Sequence, residues 1–385
     1  MFSQRTNWTL TPNRHAQALE QLRAAGTPIL DLTASNPTNC GFLYDAATIL
    51  EAFRKTEALN YDPQPRGLLP AREEVSRYYL QDHGAAVKPE SIILTTSTSE
   101  AYSYVFRLLC NAHDEILVPK PSYPLFEFLA DLQDVTLVPY TLEYAHGWFI
   151  DFHSVVRALT PRTRAILLVH PNNPTGSFLL TEEVNRLNKL CGERNLSLIV
   201  DEVFLDYPFG GALRATFAAN QESLTFTLSG LSKISALPQM KVAWVVTTGP
   251  EWLVHPALER LDVIADTYLS LNSPTQWAFP TLLEQRRSLQ PQILQRVRGN
   301  RTQLQALVSQ HPSWELLDAD GGWYAVLRLP VSRVDEDFAI EALQTQNVLV
   351  HPGHFYDFAS DNFLVISLLT PPDVFVEGIS RLFQR

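Results

Sequence analysis

The chain has 385 residues, of which 45% are hydrophobic and 18% are charged, and this composition favours a large folded core over a long disordered tail. The formal net charge is -11 and no run of lysine or arginine occurs, so we expect neither nucleic acid nor an acidic membrane surface as a partner. At about 150 residues per domain the length predicts two to three domains, of which two is our expectation.

The three cysteines lie far apart, without a CxxC motif or a cysteine–histidine spacing suited to a metal, so each is expected to be a reduced thiol. The N-terminal segment has no continuous apolar region, and nowhere do about eighteen apolar residues follow one another. We therefore expect a cytoplasmic enzyme without a metal site, a secretion signal or a membrane span.

Short apolar runs alternate with longer amphipathic segments in the first two thirds of the chain, a pattern typical of βαβ units and a mostly parallel sheet. The predicted fold class is therefore α/β. After Ser99, apolar residues recur with helical spacing from Ala101 to Leu109, directly behind a strand. The predicted strands cover residues 91–96, 115–119, 135–139, 164–169, 196–201, 225–229 and 242–247.

From Trp252 a helical pattern extends to about Gln310, and Pro274, Pro280 and Pro291 within it are expected to bend or break the helix. Strand and helix patterns then alternate to the C-terminus. We expect a large domain over residues 46–275 and a smaller α/β domain over residues 276–385, which residues 1–45 join.

The first feature with chemical meaning is a hydroxyl-rich turn that leads from a strand into a helix at residues 95–101. Free N–H groups and the positive dipole end at such a helix start favour an anion, and Thr98 and Ser99 add hydroxyl donors. Taken alone, an ordinary Ser/Thr helix cap is the commoner explanation.

The second feature is Tyr123, which lies between Pro121 and Pro124 shortly after a predicted strand. A tyrosine in such a turn can stack on a planar ring, and aromatic pairs add about 0.5–1.5 kcal/mol beyond area burial. A tyrosine packed in a loop is the simpler alternative when this feature is considered alone.

The third feature is a pair of polar residues at strand ends, the edge at which open α/β sheets bind ligands. Asn173, in the segment NNPTG, can donate a hydrogen bond to a phenolate oxygen. Asp201 ends an apolar strand, where burial of a carboxylate is costly unless it meets donors or a cation such as a protonated pyridine. A turn and a helix-capping aspartate explain these residues equally well at this point.

The fourth feature is Lys233, which is surrounded in sequence by Leu231, Ile234, Ala236 and Leu237. An apolar setting disfavours the ammonium form, and only the free amine can form an imine. The alternative, an ordinary surface lysine, fits this apolar segment less well.

Together these segments resemble one known family. YDPQPRG, NNPTG, the apolar strand that ends in Asp201, and Ser232-Lys233 followed by a proline and a basic residue are similar to the aspartate-aminotransferase-like family, fold type I of the pyridoxal phosphate (PLP) enzymes. The match runs through almost the whole chain in the correct order. The resemblance implies a PLP-dependent aminotransferase that exchanges an amino group between an amino acid or amine and a 2-oxo acid by a ping-pong mechanism.

The resemblance also implies residue roles. Lys233 forms the Schiff base and moves the proton, Asp201 pairs with the pyridine N–H, Asn173 holds the ring oxygen and Tyr123 stacks on the ring. Tyr61 resembles a tyrosine that reaches the phosphate across a dimer interface, which implies a homodimer. The remaining residues expected to bind the cofactor are Thr98, Ser99, Ser229, Ser232 and Lys241.

Several positions depart from the family pattern. Phe204 stands where a tyrosine usually donates to the ring oxygen, so we expect a raised pKa of the Schiff base. Lys241 replaces an arginine, which exchanges a bidentate fork for a point charge. Gly230 occupies a position that often carries a hydroxyl, and Ser229 or Ser232 can compensate.

The largest departure is Val365, which stands where the family has an arginine that binds the substrate α-carboxylate. A poorly cationic pocket lined by aromatic residues would favour an apolar or aromatic amino donor. A fold-type-I lyase or decarboxylase is the second hypothesis, and a non-catalytic PLP-binding regulator the third. The candidates to bind substrate in place of that arginine are Asn36, Arg66, His351 and His354, and Trp323 and Tyr324 are expected to line the substrate pocket unless they belong to the core.

Overall fold

The computed structural model describes residues 1–210, 215–269, 271–330 and 333–384. The helices are α1 (Arg14–Ala24), α2 (Ala46–Glu51), α3 (Leu69–His83), α4 (Thr98–Leu109), α5 (Phe126–Asp131), α6 (Phe152–Ala158), α7 (Thr181–Arg194), α8 (Leu231–Ile234), α9 (Glu251–Tyr268), α10 (Ser273–Glu284), α11 (Arg286–Val308), α12 (Asp335–Gln346) and α13 (Pro372–Phe383). The strands are β1 (Leu30–Asp31), β2 (Ile92–Thr95), β3 (Glu115–Lys120), β4 (Thr136–Tyr144), β5 (Trp148–Ile150), β6 (Thr163–Val169), β7 (Ser197–Asp201), β8 (Thr225–Gly230), β9 (Ala243–Thr248), β10 (Glu315–Leu316), β11 (Tyr324–Arg328), β12 (Val348–Leu349), β13 (His351–Pro352) and β14 (Phe363–Ser367). Within the described ranges, no helix is long and apolar enough to cross a bilayer.

Eight strands form the main sheet in the order β2-β9-β8-β7-β6-β3-β4-β5. Strands β3, β4, β6, β7 and β8 run parallel, whereas β9 is antiparallel to both of its neighbours and β5 is antiparallel to β4. Every residue of β2, β7, β8 and β9 is buried, as expected for strands with helices on both faces. The predicted α/β class with a mostly parallel sheet is confirmed, and each predicted strand corresponds to an observed one within a few residues.

The helix predicted after Ser99 is confirmed as α4, which begins at Thr98 and packs on one face of the main sheet together with α5 and α9. Its buried residues include Ala101, Tyr104 and Val105, the positions that the apolar spacing indicated. Because α4 directly follows β2, its N-terminus lies at the edge of the sheet where β2 ends.

A second, smaller sheet contains four antiparallel strands in the order β10-β11-β14-β13. The N-terminal segment reaches this part of the molecule, because β1 pairs in parallel with β12 and places Leu30 opposite Val348. Leu32 is fully buried in the same hydrophobic core as Phe375 and Ile379 of α13. Residues from both chain ends therefore share one core.

The prolines of the helical region were expected to bend or break it, and none of the three ends a helix. Pro274 lies in the first turn of α10, where its missing N–H costs no intrahelical hydrogen bond. Pro280 and Pro291 do not break the helices but lie inside α10 and α11. The region is divided into three helices, which end at Tyr268, Glu284 and Val308.

Gly230, the last residue of β8, lies against β9 and pairs with Ala243. A Cβ atom at this position would lie 2.8 Å from the Cβ of Ala243 and 2.8 Å from the carbonyl oxygen of Val242. These separations are too short for any side chain, so the close approach of the two strands explains why the position carries glycine and no hydroxyl.

We predict that Gly230→Ser lowers the free energy of unfolding by about 1–3 kcal/mol, because overpacking forces the two strands apart. Thermal or urea unfolding of the purified variant measures this change. Gly299→Ala is the control: a Cβ there meets nothing within 4 Å, and the substitution in α11 should stabilise by about 0.5–1 kcal/mol. A Gly230→Ser variant as stable as the wild type would contradict the packing argument.

Candidate active site

The main sheet brings the polar residues singled out in the sequence to one edge. Strands β3, β6, β7 and β8 end at this edge because they are parallel, and β2 ends there because both β2 and β8 are antiparallel to β9. The register places Asp201 between Val169 and Leu228, and it places both Thr95 and Gly230 opposite Ala243. The segments that follow these strands carry the start of α4, Tyr123, Asn173, Asp201 and Lys233.

Lys233 lies on α8, a single helical turn directly after β8. Its Nζ atom is 4.9 Å from the centre of the Trp323 ring and 5.6 Å from the centre of the Phe204 ring. Burial lowers the pKa of Lys233 to about 8, against an opposing effect of the Asp201 carboxylate. The side chain therefore provides far more free amine near neutral pH than an ordinary lysine does.

Three side chains from distant segments fix the backbone of the Lys233 turn. Tyr207, Gln290 and Tyr44 donate hydrogen bonds of 2.5, 3.0 and 2.9 Å to carbonyl oxygens in and after this turn. A single turn of helix has few backbone hydrogen bonds of its own, so these side-chain bonds to its carbonyls stabilise it. None of these three residues was predicted, since no spacing pattern in the sequence links them. The acceptors are, in the same order, Lys233, Ile234 and Ala236.

Asp201 is the last residue of β7 and only 8% of it is exposed. Its Oδ1 atom accepts a hydrogen bond from the Val203 N–H at 3.0 Å, and its Oδ2 atom accepts one from the Tyr102 hydroxyl at 2.8 Å. Burial raises the pKa of Asp201, while these two bonds and Lys233 oppose the rise. The site therefore contains a buried carboxylate suited to a cationic partner.

Asn173 is buried in the loop after β6, and its Oδ1 atom has no hydrogen-bond partner within the described residues. The neighbouring Asn172 ties this loop to the turn before Tyr123, because it donates to the Pro121 carbonyl at 3.2 Å. Gly176 closes the loop with a positive φ of 69°, and a Cβ there would lie 2.4 Å from the Gly321 carbonyl oxygen. A buried amide oxygen without a partner is costly, so the loop presents a polar group that a ligand can satisfy.

Side-chain hydrogen bonds of Ser97 and Glu100 close the turn at the start of α4. Ser97 caps the helix by accepting a 3.2 Å hydrogen bond from the Glu100 N–H, and the Glu100 carboxylate in turn accepts a 2.6 Å bond from the Thr96 N–H. The first-turn N–H groups of Thr98 and Ser99 lie at the positive end of the helix dipole. This arrangement is suited to an anion such as a phosphate.

The other residues predicted to bind the cofactor differ in how exposed they are. Ser229 is buried, and its hydroxyl donates a long 3.5 Å hydrogen bond to the Glu202 carbonyl. Ser232 is partly exposed on α8, and Lys241 is exposed just before β9 with a left-handed φ of 54°. Tyr123 is 43% exposed, and the nearby Asp201 charge adds to burial in raising its pKa.

Two of the predicted substrate residues are committed to other contacts. Arg66 forms two 2.5 Å hydrogen bonds to the Asp262 carboxylate, so its guanidinium is not free to clamp a substrate. Trp323 is fully buried against Phe204 and Tyr207, and it forms the floor beneath Lys233 rather than an open pocket wall.

The histidines and Asn36 have different surroundings. His351 shares a 3.0 Å hydrogen bond with the Tyr356 hydroxyl, and burial lowers the pKa of His351 to about 4, which keeps it neutral. His354 is 39% exposed in its side chain and lies 3.2 Å from Asp335. Asn36 is exposed and its side-chain oxygen caps the turn at Thr38 with a 3.1 Å bond.

Val365 is 1% exposed and belongs to an apolar cluster with Leu317, Tyr356 and Phe358. It pairs with His351 on one side and with Val326 on the other. The position expected to carry a carboxylate-binding arginine is thus an apolar wall in this structure, and a tyrosine hydroxyl and a neutral histidine lie next to it.

The profile of the family described as aminotransferase class I and II matches residues 27–376. A glutamate-pyruvate aminotransferase of Haemophilus influenzae is 27% identical over 362 residues, which cover 92% of this chain and 89% of that protein. An alanine aminotransferase of Mycobacterium tuberculosis is 26% identical over 379 residues, with coverage of 96% and 87%.

Among solved structures, an aminotransferase from Escherichia coli is 25% identical and matches with a TM-score of 0.88, covering 100% of this chain and 97% of that one. An alanine aminotransferase from Pyrococcus furiosus, 22% identical, gives a TM-score of 0.90 with coverage of 100% and 99% and shows the fold alone. The predicted fold type I architecture is confirmed.

The lowered pKa of Lys233 predicts that its amine is acylated at a lower pH than ordinary lysines. Labelling should rise as the pH passes through about 8, because the free amine is the nucleophile and it replaces the ammonium form in that range. Pulse labelling of the cofactor-free protein, followed by mass spectrometry of the Lys233 peptide, measures the midpoint. Asp201→Asn should lower the midpoint further, since it removes the charge that stabilises the ammonium. A midpoint of about 10.4, the usual lysine value, would contradict the burial effect.

Proposed function

This chain belongs to the aminotransferase class I and II family, and we propose that Lys233 binds PLP and transfers the proton in the reaction. The predicted activity of a PLP-dependent transaminase is confirmed by the family match and by the named relatives, which favour it over the lyase and regulator hypotheses. The observation that supports the assignment of Lys233 is its free amine, favoured by burial, beside the buried Asp201 carboxylate.

The residues at the sheet edge fit PLP in their chemistry. Asp201 offers a buried anion for a protonated ring nitrogen, and the side-chain amide of the buried Asn173 carries N–H donors for the ring oxygen. Thr98 and Ser99 at the start of α4 offer donors for the phosphate, and we propose that Ser229, Ser232 and Lys241 support them. Tyr123, still partly exposed, is proposed to cover the ring.

When bound, PLP supplies a carbonyl group that takes up the amino group and a ring that accepts electrons from the substrate carbon. In the proposed mechanism Lys233 removes the proton from the substrate Cα and later returns one, because burial lowers the pKa of its amine to about 8 and so raises the fraction of free base. Asp201 holds a proton on the ring nitrogen. The side chains of Tyr207 and Gln290 keep the Lys233 turn fixed while the amine moves the proton.

We propose an amino donor with an apolar side chain, for which alanine is the model, and a 2-oxo acid as acceptor. The apolar wall at Val365 supports this proposal, and so do the relatives named as glutamate-pyruvate and alanine aminotransferases. Asn36 and His354 are the exposed residues that we propose to contact the substrate, since Arg66 is paired with Asp262. Trp323 is proposed to act only through its contact with Lys233.

We also propose a homodimer in which Tyr61 of each chain completes the site of its partner. Tyr61 is 78% exposed, and Leu59 beside it is 89% exposed, which leaves a tyrosine and a leucine open to a second copy. A cytoplasmic location and a division into domains at residues 46–275 and 276–385 remain predictions.

The transaminase proposal predicts that alanine and 2-oxoglutarate are converted to pyruvate and glutamate, with the parallel double-reciprocal plots of a ping-pong mechanism. Lys233→Ala should lower kcat by roughly 100- to 10,000-fold, because the group that moves the proton is lost. Lys189→Ala, a substitution of a 77% exposed lysine on α7, is the matched control and should leave kcat unchanged. Exclusive turnover of aspartate would refute the apolar donor, and full activity of Lys233→Ala would refute the role of Lys233.

The dimer proposal predicts complementation between two impaired variants. In a heterodimer of Lys233→Ala with Tyr61→Ala, one site carries both substitutions and the other carries neither if Tyr61 crosses the interface. Mixing the two variants under conditions of subunit exchange should therefore restore about a quarter of the wild-type activity, since half of the dimers are mixed and each has one intact site. Activity that stays at the average of the two parents would show that Tyr61 does not act across an interface.

A further inference from the structure

The hydrogen bond from Tyr102 to Asp201 links α4 to the end of β7. Tyr102 is 2% exposed, and its hydroxyl donates to the Asp201 Oδ2 atom at 2.8 Å. Its ring packs edge-on against Phe126 at 5.3 Å and lies 5.9 Å from Phe106. The packing fixes the ring, so the direction of the hydroxyl toward Asp201 is set by the fold.

Within the described residues, Tyr102 and Val203 are the two hydrogen-bond donors to the Asp201 carboxylate. The Val203 bond comes from the backbone and is present whatever the side chains nearby. The Tyr102 bond is the one that a side-chain substitution can remove. Burial and the Asp201 charge raise the pKa of Tyr102, so its hydroxyl keeps its proton and remains a donor.

We propose that Tyr102 is a positioning residue that keeps the Asp201 carboxylate ionised and oriented, and that it thereby favours a protonated ring nitrogen on the bound cofactor. This inference rests on the proposed role of Asp201. A hydrogen bond to a carboxylate stabilises the charged form and lowers its affinity for a proton. Without the Tyr102 hydroxyl, a proton shared between Asp201 and a ring nitrogen shifts toward Asp201.

The consequence for catalysis is a change in the chemical step rather than in substrate binding. A ring nitrogen that holds its proton less firmly makes the ring a weaker electron acceptor, which slows proton removal from the substrate carbon. Tyr102 is directed toward Asp201, and removal of its oxygen leaves the contacts of its ring with Phe106 and Phe126 in place. We therefore expect kcat to fall and KM to stay nearly constant.

The test compares Tyr102→Phe with Tyr140→Phe in the PLP-loaded enzyme. Tyr140 is equally buried at 2% exposure, and its hydroxyl donates a 2.9 Å hydrogen bond to the Leu167 carbonyl, so its substitution removes a similar bond elsewhere. The readout is the 15N chemical shift of the ring nitrogen in enzyme loaded with 15N-labelled PLP, together with kcat and KM.

Tyr102→Phe should move the 15N signal toward that of a neutral pyridine and lower kcat by about 10-fold, with KM within about 2-fold. Tyr140→Phe should change neither the signal nor kcat. If the phenylalanine variant folds poorly, 3,5-difluorotyrosine at position 102 serves as the second variant. Its more acidic hydroxyl is a stronger donor to Asp201, so the signal should stay at the protonated position, and a shift toward neutral pyridine would overturn the proposal.

Asp201→Ala separates this inference from the proposed function. If Asp201→Ala shifts the 15N signal and Tyr102→Phe does not, Asp201 keeps its role and the inference about Tyr102 is overturned. If Asp201→Ala leaves the signal unchanged, the assignment of Asp201 fails, and the inference fails with it. An equal loss of kcat in Tyr140→Phe and Tyr102→Phe would show that the effect comes from the loss of any buried tyrosine hydroxyl, and it would overturn the proposed role of Tyr102.

Discussion

The buried Asp201 carboxylate and the partly buried Lys233 amine lie at one edge of the main sheet, and the arrangement of the site depends on the interaction between these two groups. Burial raises the pKa of Asp201 and lowers that of Lys233, while each group opposes the effect of burial on the other. A buried carboxylate is stable only with hydrogen bonds or a cation beside it. Tyr102 and Val203 provide them for Asp201, and Tyr207 and Gln290 fix the turn that carries Lys233.

The sequence was sufficient to predict the strands of the main sheet and the residues at their ends. Parallel strands that are buried on both faces appear as short apolar runs, so the polar residue after each run is visible, as with Asp201 and Asn173. Lys233 was visible for a related reason, because a lysine among apolar residues is unusual. The order of these segments, which matches the family, then predicted PLP as the cofactor. No single segment was sufficient for that prediction.

The remaining features depend on contacts between distant segments and could not be predicted. Tyr102 contacts Asp201 across 99 residues, and no periodicity in the sequence marks that pair. From the sequence alone, Gly230 differs from the family only in lacking a hydroxyl. The structure shows that β9 lies too close for any side chain at this position. From the sequence alone, Arg66 was a candidate cation for the substrate. In the structure it pairs with Asp262, which is 196 residues away in the chain. Pro291 lies within α11, where tertiary packing of the helix outweighs the local preference against proline.

We propose that Lys233 is the residue that binds PLP, and reductive trapping tests this assignment. Treatment of the PLP-loaded protein with borohydride makes the bond between cofactor and amine permanent, and peptide mass spectrometry then locates the pyridoxyl group. We predict a single modified residue, Lys233, and no modification of Lys241, an exposed lysine at the same edge of the sheet. A pyridoxyl group on Lys241, or none on Lys233, would contradict the account.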